Sequence, residues 1–528
     1  MPIELDNIAK TSARSSFYLF LGKTSSTIIM AVASILVARL LGPENYGLYV
    51  IAMIPATMLI TFSNFGISPA LIKFCAQFRS EQRNKKIISL IKTGIILNLI
   101  LSALLALVLL IFSEGIAAWF LRRPSLNLLI RFTAVYLVGQ MIYTIVDSVF
   151  IGLDKTDKNG LLMNVQAITK GVAAPLLILG FGAVGAVLGA GLGALLAAVI
   201  GATILLHGLR ALADHSGGEN FSFTQGLGLM IRYGMPIYLS TVILSFLSQY
   251  KSYLLALFVS DIEIGNYSIA INLSILITLL SYPITTSLFP AFSKVSVKKN
   301  RDMLEKMFKL SVKYTSLLII PASLAVAVLS REAIQILYGP QYQLAPNYLS
   351  LYMLSHLWAG LGLFVWSSFF NGQGDTRTTL KINLLYSALT LPLALIMTFL
   401  YGVLGQIISF IVAEFLFNMY PLFLVRKKYE ISLDWGSFLR IAVASFSSAM
   451  LVYIFITFGP VANLLFRLIT GGLIFVASYL VFAPLFKVIS KEDIRNLNEM
   501  TKELTPIYPI TKRILSLEEK LLALKMFL

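Results

Sequence analysis

The chain has 528 residues, 57% of them hydrophobic and 13% charged, and its mean hydropathy is +0.83. Soluble globular proteins carry about 25% charged residues, so these values exclude a soluble enzyme and a disordered chain alike. The net charge of +17 (42 Lys and Arg against 25 Asp and Glu) sits in short stretches between apolar runs. That pattern points to a membrane protein's orientation signal rather than to nucleic acid. One cysteine, Cys75, excludes a disulfide framework, and three histidines leave little for a zinc site.

A spanning helix needs roughly 20 mostly apolar residues. Fourteen such runs follow in chain order, near 16–41, 46–70, 87–112, 126–150, 161–180, 183–208, 233–259, 267–290, 310–330, 346–370, 380–400, 402–425, 439–458 and 464–488. The first lacks an A-x-A cleavage site and leads straight into further spans, so it reads as a span and not a signal peptide. With the N-terminus inside, 35 of the 42 basic residues fall on the inner side and six outside, while Lys251 lies within a span. Both termini are therefore expected in the cytoplasm. The basic stretches Lys73–Lys92 and Lys294–Lys313 read as inner loops. They would anchor the chain to anionic lipid or bind a lipid phosphate.

The chain repeats itself. Glu44-Asn-Tyr-Gly47-Leu-Tyr49-Val-Ile-Ala52 matches Ile262-Glu-Ile-Gly265-Asn-Tyr267-Ser-Ile-Ala270 at an offset of 218. Phe150-Ile-Gly152-Leu-Asp-Lys-Thr156 matches Phe370-Asn-Gly372-Gln-Gly-Asp-Thr376, and Phe-Gly182-Ala-Val-Gly185 matches Tyr-Gly402-Val-Leu-Gly405, both at 220. Near-constant offsets argue for two six-span halves. Six is even, so the repeats are parallel and related by a pseudo-two-fold along the membrane normal, a transporter architecture. The expected division is 1–215 and 216–430 for the two bundles, 431–488 for two added helices, and 489–528 for a cytoplasmic tail.

The stretch Ala38-Arg-Leu-Leu-Gly-Pro-Glu-Asn-Tyr-Gly-Leu-Tyr49, with Gly372-Gln-Gly-Asp-Thr376 as a weaker second match, resembles the polysaccharide transporters of the multidrug/oligosaccharidyl-lipid/polysaccharide exporter superfamily. The resemblance covers about residues 10–490 and implies two helix bundles working by alternating access. The implied cargo is a lipid-(pyro)phosphate-linked oligosaccharide moved from the cytoplasmic to the outer leaflet of the plasma membrane. No bond is broken, so no catalytic group or cofactor is expected. The implied partners are the lipid-linked glycan, membrane lipids and glycan-assembly enzymes, and no nucleic acid. Similarity also suggests a lipid-facing groove along spans thirteen and fourteen.

An ionisable group deep in a span is costly and normally faces a cavity. Lys251 in span seven is the leading candidate to hold the phosphate, with a structural ion pair or snorkelling to the outer interface as the alternatives. Lys23 and Arg39 on span one are further substrate-binding candidates, against interface anchoring or, for Arg39, a salt bridge to Glu44. Glu414, Asp147 and His356 are candidates to couple an ion, against a hydrogen-bonded carboxyl or a pair with a distant cation for Glu414, an inner-interface carboxylate for Asp147 and a helix-packing role for His356. Intramembrane amides (Asn98, Gln140, Asn164, Gln166, Gln249, Asn272, Asn383, Gln406 and Asn418) could bond glycan hydroxyls or act as glue between helices.

Other patterns carry less. Gly180-Phe-Gly182-Ala-Val-Gly185 fits G-x-G-x-x-G without a surrounding dinucleotide fold. Gly185, Gly189 and Gly193 read as a close-packing helix face. The sequon Asn266-Tyr-Ser268 falls in an expected outer loop. Two other functions compete: a multidrug or small-cation exporter of the same superfamily, which would want cavity carboxylates, and a membrane scaffold or scramblase-like lipid binder.

Overall fold

The computed structural model of the protein describes residues 2–213, 221–295, 300–459, 463–502 and 508–524. Among them there are helices and turns but no strand. The chain is an all-α polytopic membrane protein. Among the described residues, eleven helical segments are long and apolar enough to cross a bilayer. Their exposed faces carry Leu104, Leu179, Phe399 and Leu473, each more than half exposed, as lipid requires and water would not tolerate on this scale.

The chain divides into two compact units, Met1–Ser268 and Ile269–Leu528. The first holds α1 (Pro2–Phe62), α2 (Ile67–Ser80), α3 (Asn84–Gly115) with a π-helical extension (Ile116–Phe120), α4 (Asn127–Gly152), α5 (Thr156–Ala213), α6 (Phe223–Phe258) and the start of α7 (Asp261–Lys294). The second continues with α8 (Arg301–Val328), α9 (Ser330–Leu337), α10 (Ala345–Met353), a 3-10 segment (Leu354–Leu361), α11 (Trp366–Gly372), α12 (Thr376–Tyr429), α13 (Trp435–Phe458), α14 (Leu464–Leu485), α15 (Lys491–Lys502) and α16 (Tyr508–Leu524). The expected boundary near 215 lies outside the described residues. By sequence α6 opens the second half, yet it packs within the first unit, where the Tyr238 hydroxyl donates to the Phe62 carbonyl at 2.8 Å.

Helices α1, α5 and α12 each contain one glycine whose backbone leaves the helical region: Gly42 (φ 72°, ψ 172°), Gly182 (φ 54°, ψ −133°) and Gly402 (φ 56°, ψ −133°). The chain turns back at each. Ser34 and Tyr46, which would lie about 18 Å apart on a straight helix, bring their hydroxyls to 3.3 Å. Thr398 Oγ1 donates to Gln406 Oε1 at 3.2 Å across the α12 bend. In α5 the glycine stripe closes the hairpin: Gly185 lies against the Leu177 backbone, Gly189 against Ala174, and Gly193 against Gln166 and Lys170. Side chains there would collide with backbone, so the stripe is the close-packing face expected.

The duplication is visible in local geometry. After α4, Lys155 N donates to Phe150 O at 2.8 Å around a left-handed Asp154 (φ 55°). After α11, Asp375 N donates to Phe370 O at 2.8 Å around a left-handed Gly374 (φ 76°). Both are helix ends of Schellman type, and a new long helix starts at Thr156 and Thr376. Asp375 caps α12: its Oδ1 accepts from Thr378 N, and its Oδ2 meets Lys428 Nζ at 2.5 Å.

Four expectations need correction. The tenth span is not one helix: α10, the 3-10 segment and α11 replace it, broken at a left-handed Gly362 (φ 91°). The break is buried in protein, where Trp358 Nε1 and Trp366 Nε1 donate to Ile411 O and Asn418 Oδ1 on α12. The basic stretches are not long loops: Lys73–Lys92 is divided between α2 and α3, and Arg301–Lys313 of the second lies on α8. Residues 261–265 are the first turn of α7, not loop. Asn266 is therefore helical and only 1% exposed, which removes the sequon as an acceptor in this fold.

Burial opposes the charge on Asp375, but hydrogen bonds from Lys428 and Thr378 outweigh it and hold the carboxyl below its ordinary value. A depressed carboxylate contributes stability above its unfolded pKa of about 3.9 and loses it as pH falls through the folded value. Asp375→Ala should cost about 1 kcal/mol at neutral pH. The gap from wild type should narrow in acid. Thermal unfolding in detergent at pH 7 and pH 3.5 checks this, and an equal loss at both pH values would contradict it.

Candidate functional site

Within the first unit a cavity of about 350 Å³ opens among α1, α4, α5 and α6. Its polar lining consists of Tyr49 and Thr57 from α1, Tyr136 from α4, Gln166 and Lys170 from α5, and Ser248, Gln249 and Ser252 from α6. Met30, Val50, Met53, Ile54 and Ala190 complete the wall. Two hydrogen bonds set the amides: Gln166 Nε2 donates to Gln140 Oε1 at 2.8 Å, and Thr57 Oγ1 donates to Gln249 Oε1 at 3.4 Å. Small residues make room. Gly191 lies against Val135 and the Tyr136 backbone, and Gly193 against Lys170.

Lys170 is the cation of this cavity, and sequence reasoning missed it. In the count of basic residues it went with the inner loop that precedes α5. It lies 12 residues before the bend at Gly182 and 14 after the start of α5, which is mid-helix in the first arm. Its spacing from Gln166 by one helical turn was the available signal, because two long polar side chains at i and i+4 share one face.

The residues expected to bind substrate lie elsewhere. Lys251 is half-buried on α6, beside the face formed by Ser248, Gln249 and Ser252, but does not line the cavity. Lys23 is exposed one residue after Gly22, whose carbonyl accepts from Asn164 Nδ2 at 3.3 Å. Arg39 is exposed near the α1 bend. The structure does not bring these three into that cavity.

The ion-coupling candidates are also apart from it. Asp147 on α4 is half-buried and accepts a hydrogen bond from Asn159 of α5. His356 is 5% exposed, near Ser355 Oγ (3.3 Å), with its ring 6.0 Å from that of Tyr352 and 6.2 Å from that of Phe364. Glu414 is half-buried on the second arm of α12, where its carbonyl accepts from Asn418 Nδ2 at 2.7 Å.

The second basic stretch is largely paired with the protein's own carboxylates. Arg301 meets Glu430 at 2.9 Å, Lys306 meets Glu492 at 2.8 Å, Lys309 meets Glu305 at 2.8 Å, and Lys313 meets Asp493 at 2.6 Å. Exposed pairs of this kind contribute little each, but Lys313 and Asp493 are mostly buried and tie the tail helix α15 to α8. Burial works against the Asp493 carboxylate, yet the bonds from Lys313 and Ser490 keep it below its ordinary pKa.

Comparison with known proteins shows the family and the fold. The family profile described as "Polysaccharide biosynthesis protein" matches residues 12–296, and that of MatE matches residues 236–396. The succinoglycan biosynthesis transport protein ExoT of Rhizobium meliloti (strain 1021) is 24% identical over 351 residues, 66% of either chain. The probable low-salt glycan biosynthesis flippase Agl15 of Haloferax volcanii is 22% identical over 249 residues, 46% of this chain and 51% of that one. The chain thus spans just under two thirds and about half of the lengths of these relatives. The lipid II flippase MurJ, in an inward closed conformation, superposes with a TM-score of 0.72 at 17% identity. That match covers 89% of this chain and 98% of the other, and it shows a shared fold.

Cys75 is fully buried, and burial pushes its thiol up to about 12. The native protein should therefore resist maleimide at pH 7. Ser248→Cys in a Cys75→Ala background should react, because Ser248 is an exposed lining residue. Mass spectrometry after brief labelling checks both, and an unreactive Ser248→Cys would mean that the cavity is closed to solutes.

Proposed function

We propose that this chain, which belongs to the polysaccharide biosynthesis protein family of the MOP transporter superfamily, is a flippase for a lipid-(pyro)phosphate-linked oligosaccharide. It moves the cargo from the cytoplasmic to the outer leaflet of the plasma membrane by alternating access, across fourteen crossings with both termini inside. The observation that carries this reading is Lys170 among hydroxyls and amides in a cavity inside the first unit.

The cargo joins an anionic phosphate to a polar glycan, and hydrocarbon excludes both. A lysine within a span costs at least about 2.5–3.5 kcal/mol on insertion scales, so its place in a polar cavity supports a role in binding an anion. Lys170 supplies the charge-assisted bond to the phosphate. Gln166, Gln249, Ser248, Ser252 and the tyrosine hydroxyls offer donors and acceptors to sugar. The lipid tail stays in the bilayer. Transport breaks no bond, so the protein is not an enzyme. Lys251, Arg39 and Lys23 serve as secondary cations along the path, and Glu414, Asp147 and His356 are the groups to examine for ion coupling. Glycan-assembly enzymes supply the cargo.

The MatE match over residues 236–396 favours a second reading, export of small cationic molecules. Lys170 argues against it, because a cation in the cavity repels a cationic cargo.

Two experiments test the proposal. In proteoliposomes containing a polyprenyl pyrophosphate-linked oligosaccharide, Lys170→Ala should slow flipping about tenfold or more, the equivalent of losing one hydrogen bond to a charged group. Lys170→Arg should retain more activity. A fully active Lys170→Ala would remove the cavity from the path. For orientation, cysteines at residues 83 and 512 should be labelled only from the cytoplasm and one at residue 263 only from outside. Labelling of 83 and 263 from one side would overturn the topology.

A further inference from the structure

Gly47 and Gly265 are equivalent positions of the duplicated sequence, 218 residues apart. A Cβ on Gly47 would overlap the carbonyl oxygen of Asp261, and a Cβ on Gly265 would overlap that of Pro43. Pro43 and Asp261 are themselves 218 apart. The contact is therefore reciprocal, each half offering the same glycine to the same carbonyl of the other, as at a two-fold interface. The closest approach is backbone to backbone, with Tyr46, Ile264 and Asn266 buried beside it.

Beside it stands Arg123. The π-helical turn Ile116–Phe120 and a left-handed Arg122 (φ 56°) end α3 and throw the next residue sideways. Arg123 N returns to Ala117 O at 2.7 Å, and Phe120 stacks on Tyr253 of α6 with ring centroids 4.4 Å apart. The Arg123 guanidinium donates Nε–H to Asp261 Oδ1 at 2.5 Å and its two other nitrogens to the carbonyls of Ala256 and Val259. The Ala256 carbonyl belongs to the last turn of α6, where a helix presents unsatisfied acceptors and partial negative charge, and Val259 is the extended residue that follows it. One side chain, 15% exposed, thus joins the α3–α4 tip of the first half to the α6–α7 turn of the second.

We propose that Arg123 and the Gly47–Gly265 contact form the outer gate of the transporter, held shut in this structure. The inference rests on the alternating-access reading and on the proposed orientation. For the cavity to reach the outer side, α1 and the α3–α4 tip must part from the α6–α7 turn within the first unit, and these contacts must break. The charge-assisted bonds of Arg123 are polar contacts that can break and reform as that end opens and closes.

The test uses the full chain in a Cys75→Ala background with Ser248→Cys as reporter and an impermeant maleimide applied from outside. Arg123→Ala and Gly47→Ala should each raise outside labelling several-fold. Arg123→Glu should raise it further, and adding Asp261→Arg should lower it again. In a second arm without the reporter, a short bis-maleimide bridging Arg123→Cys and Asp261→Cys should stop flipping in proportion to the fraction bridged. A bridged protein that flips at the unbridged rate overturns the gate, as does outside labelling that ignores all three single changes at normal protein abundance. Labelling that follows the latch in a protein that moves no glycan upholds the gate and refutes the cargo.

Discussion

A bilayer interior offers the backbone no hydrogen-bond partner, and every other feature of this protein follows from that constraint. Each unpaired N–H or C=O in hydrocarbon costs several kcal/mol, so helices are the available solution for an open chain. The departures from helix fall where the constraint can be relaxed. The 3-10 segment Leu354–Leu361 and the left-handed Gly362 lie against α12 and α13, with Gly360 pressed on the Phe438 ring. Reversals at Gly42, Gly182 and Gly402 are confined to a single residue each.

Lipid also removes the hydrophobic drive between helices, leaving close packing and polar contacts to hold them. That explains the abundance of glycine at crossing points. Gly22 meets Gly160, Gly66 meets Gly234, Gly139 meets Ala194 and Gly189 meets Ala174, each at a spacing that leaves no room for a Cβ. The same chemistry makes room for polar groups, because small residues on α5 leave space where Gln166 and Lys170 stand.

The membrane class, most span positions, the duplication and the family were all legible in the sequence, because each is written in long stretches. Apolar runs such as 87–112 are read by summing many residues, and the offsets of 218 and 220 by matching several motifs. The candidate site was less legible. Lys170 sits in a run whose average is apolar, so a count of charges by loop absorbed it, while Lys251 stood out only as the charge that no loop could claim. The bend in span ten brings Gly360 onto the Phe438 ring of α13, a contact across 78 residues that no local pattern encodes. Arg123 looked like one more outer-side arginine, since its partners lie 133 to 138 residues away.

The bend at Gly182 also bears on how the chain enters the membrane during synthesis. The arm before it carries Lys170, Gln166 and Asn164 and is a poor candidate for partition into lipid alone. The arm after it, 183–208, carries no Lys, Arg, Asp or Glu. A one-residue turn gives the two arms no independent existence, since the second begins where the first ends. As a helical hairpin the two arms can partition together, the apolar one offsetting the polar one, and the fold sets the Gly193 backbone directly beside Lys170.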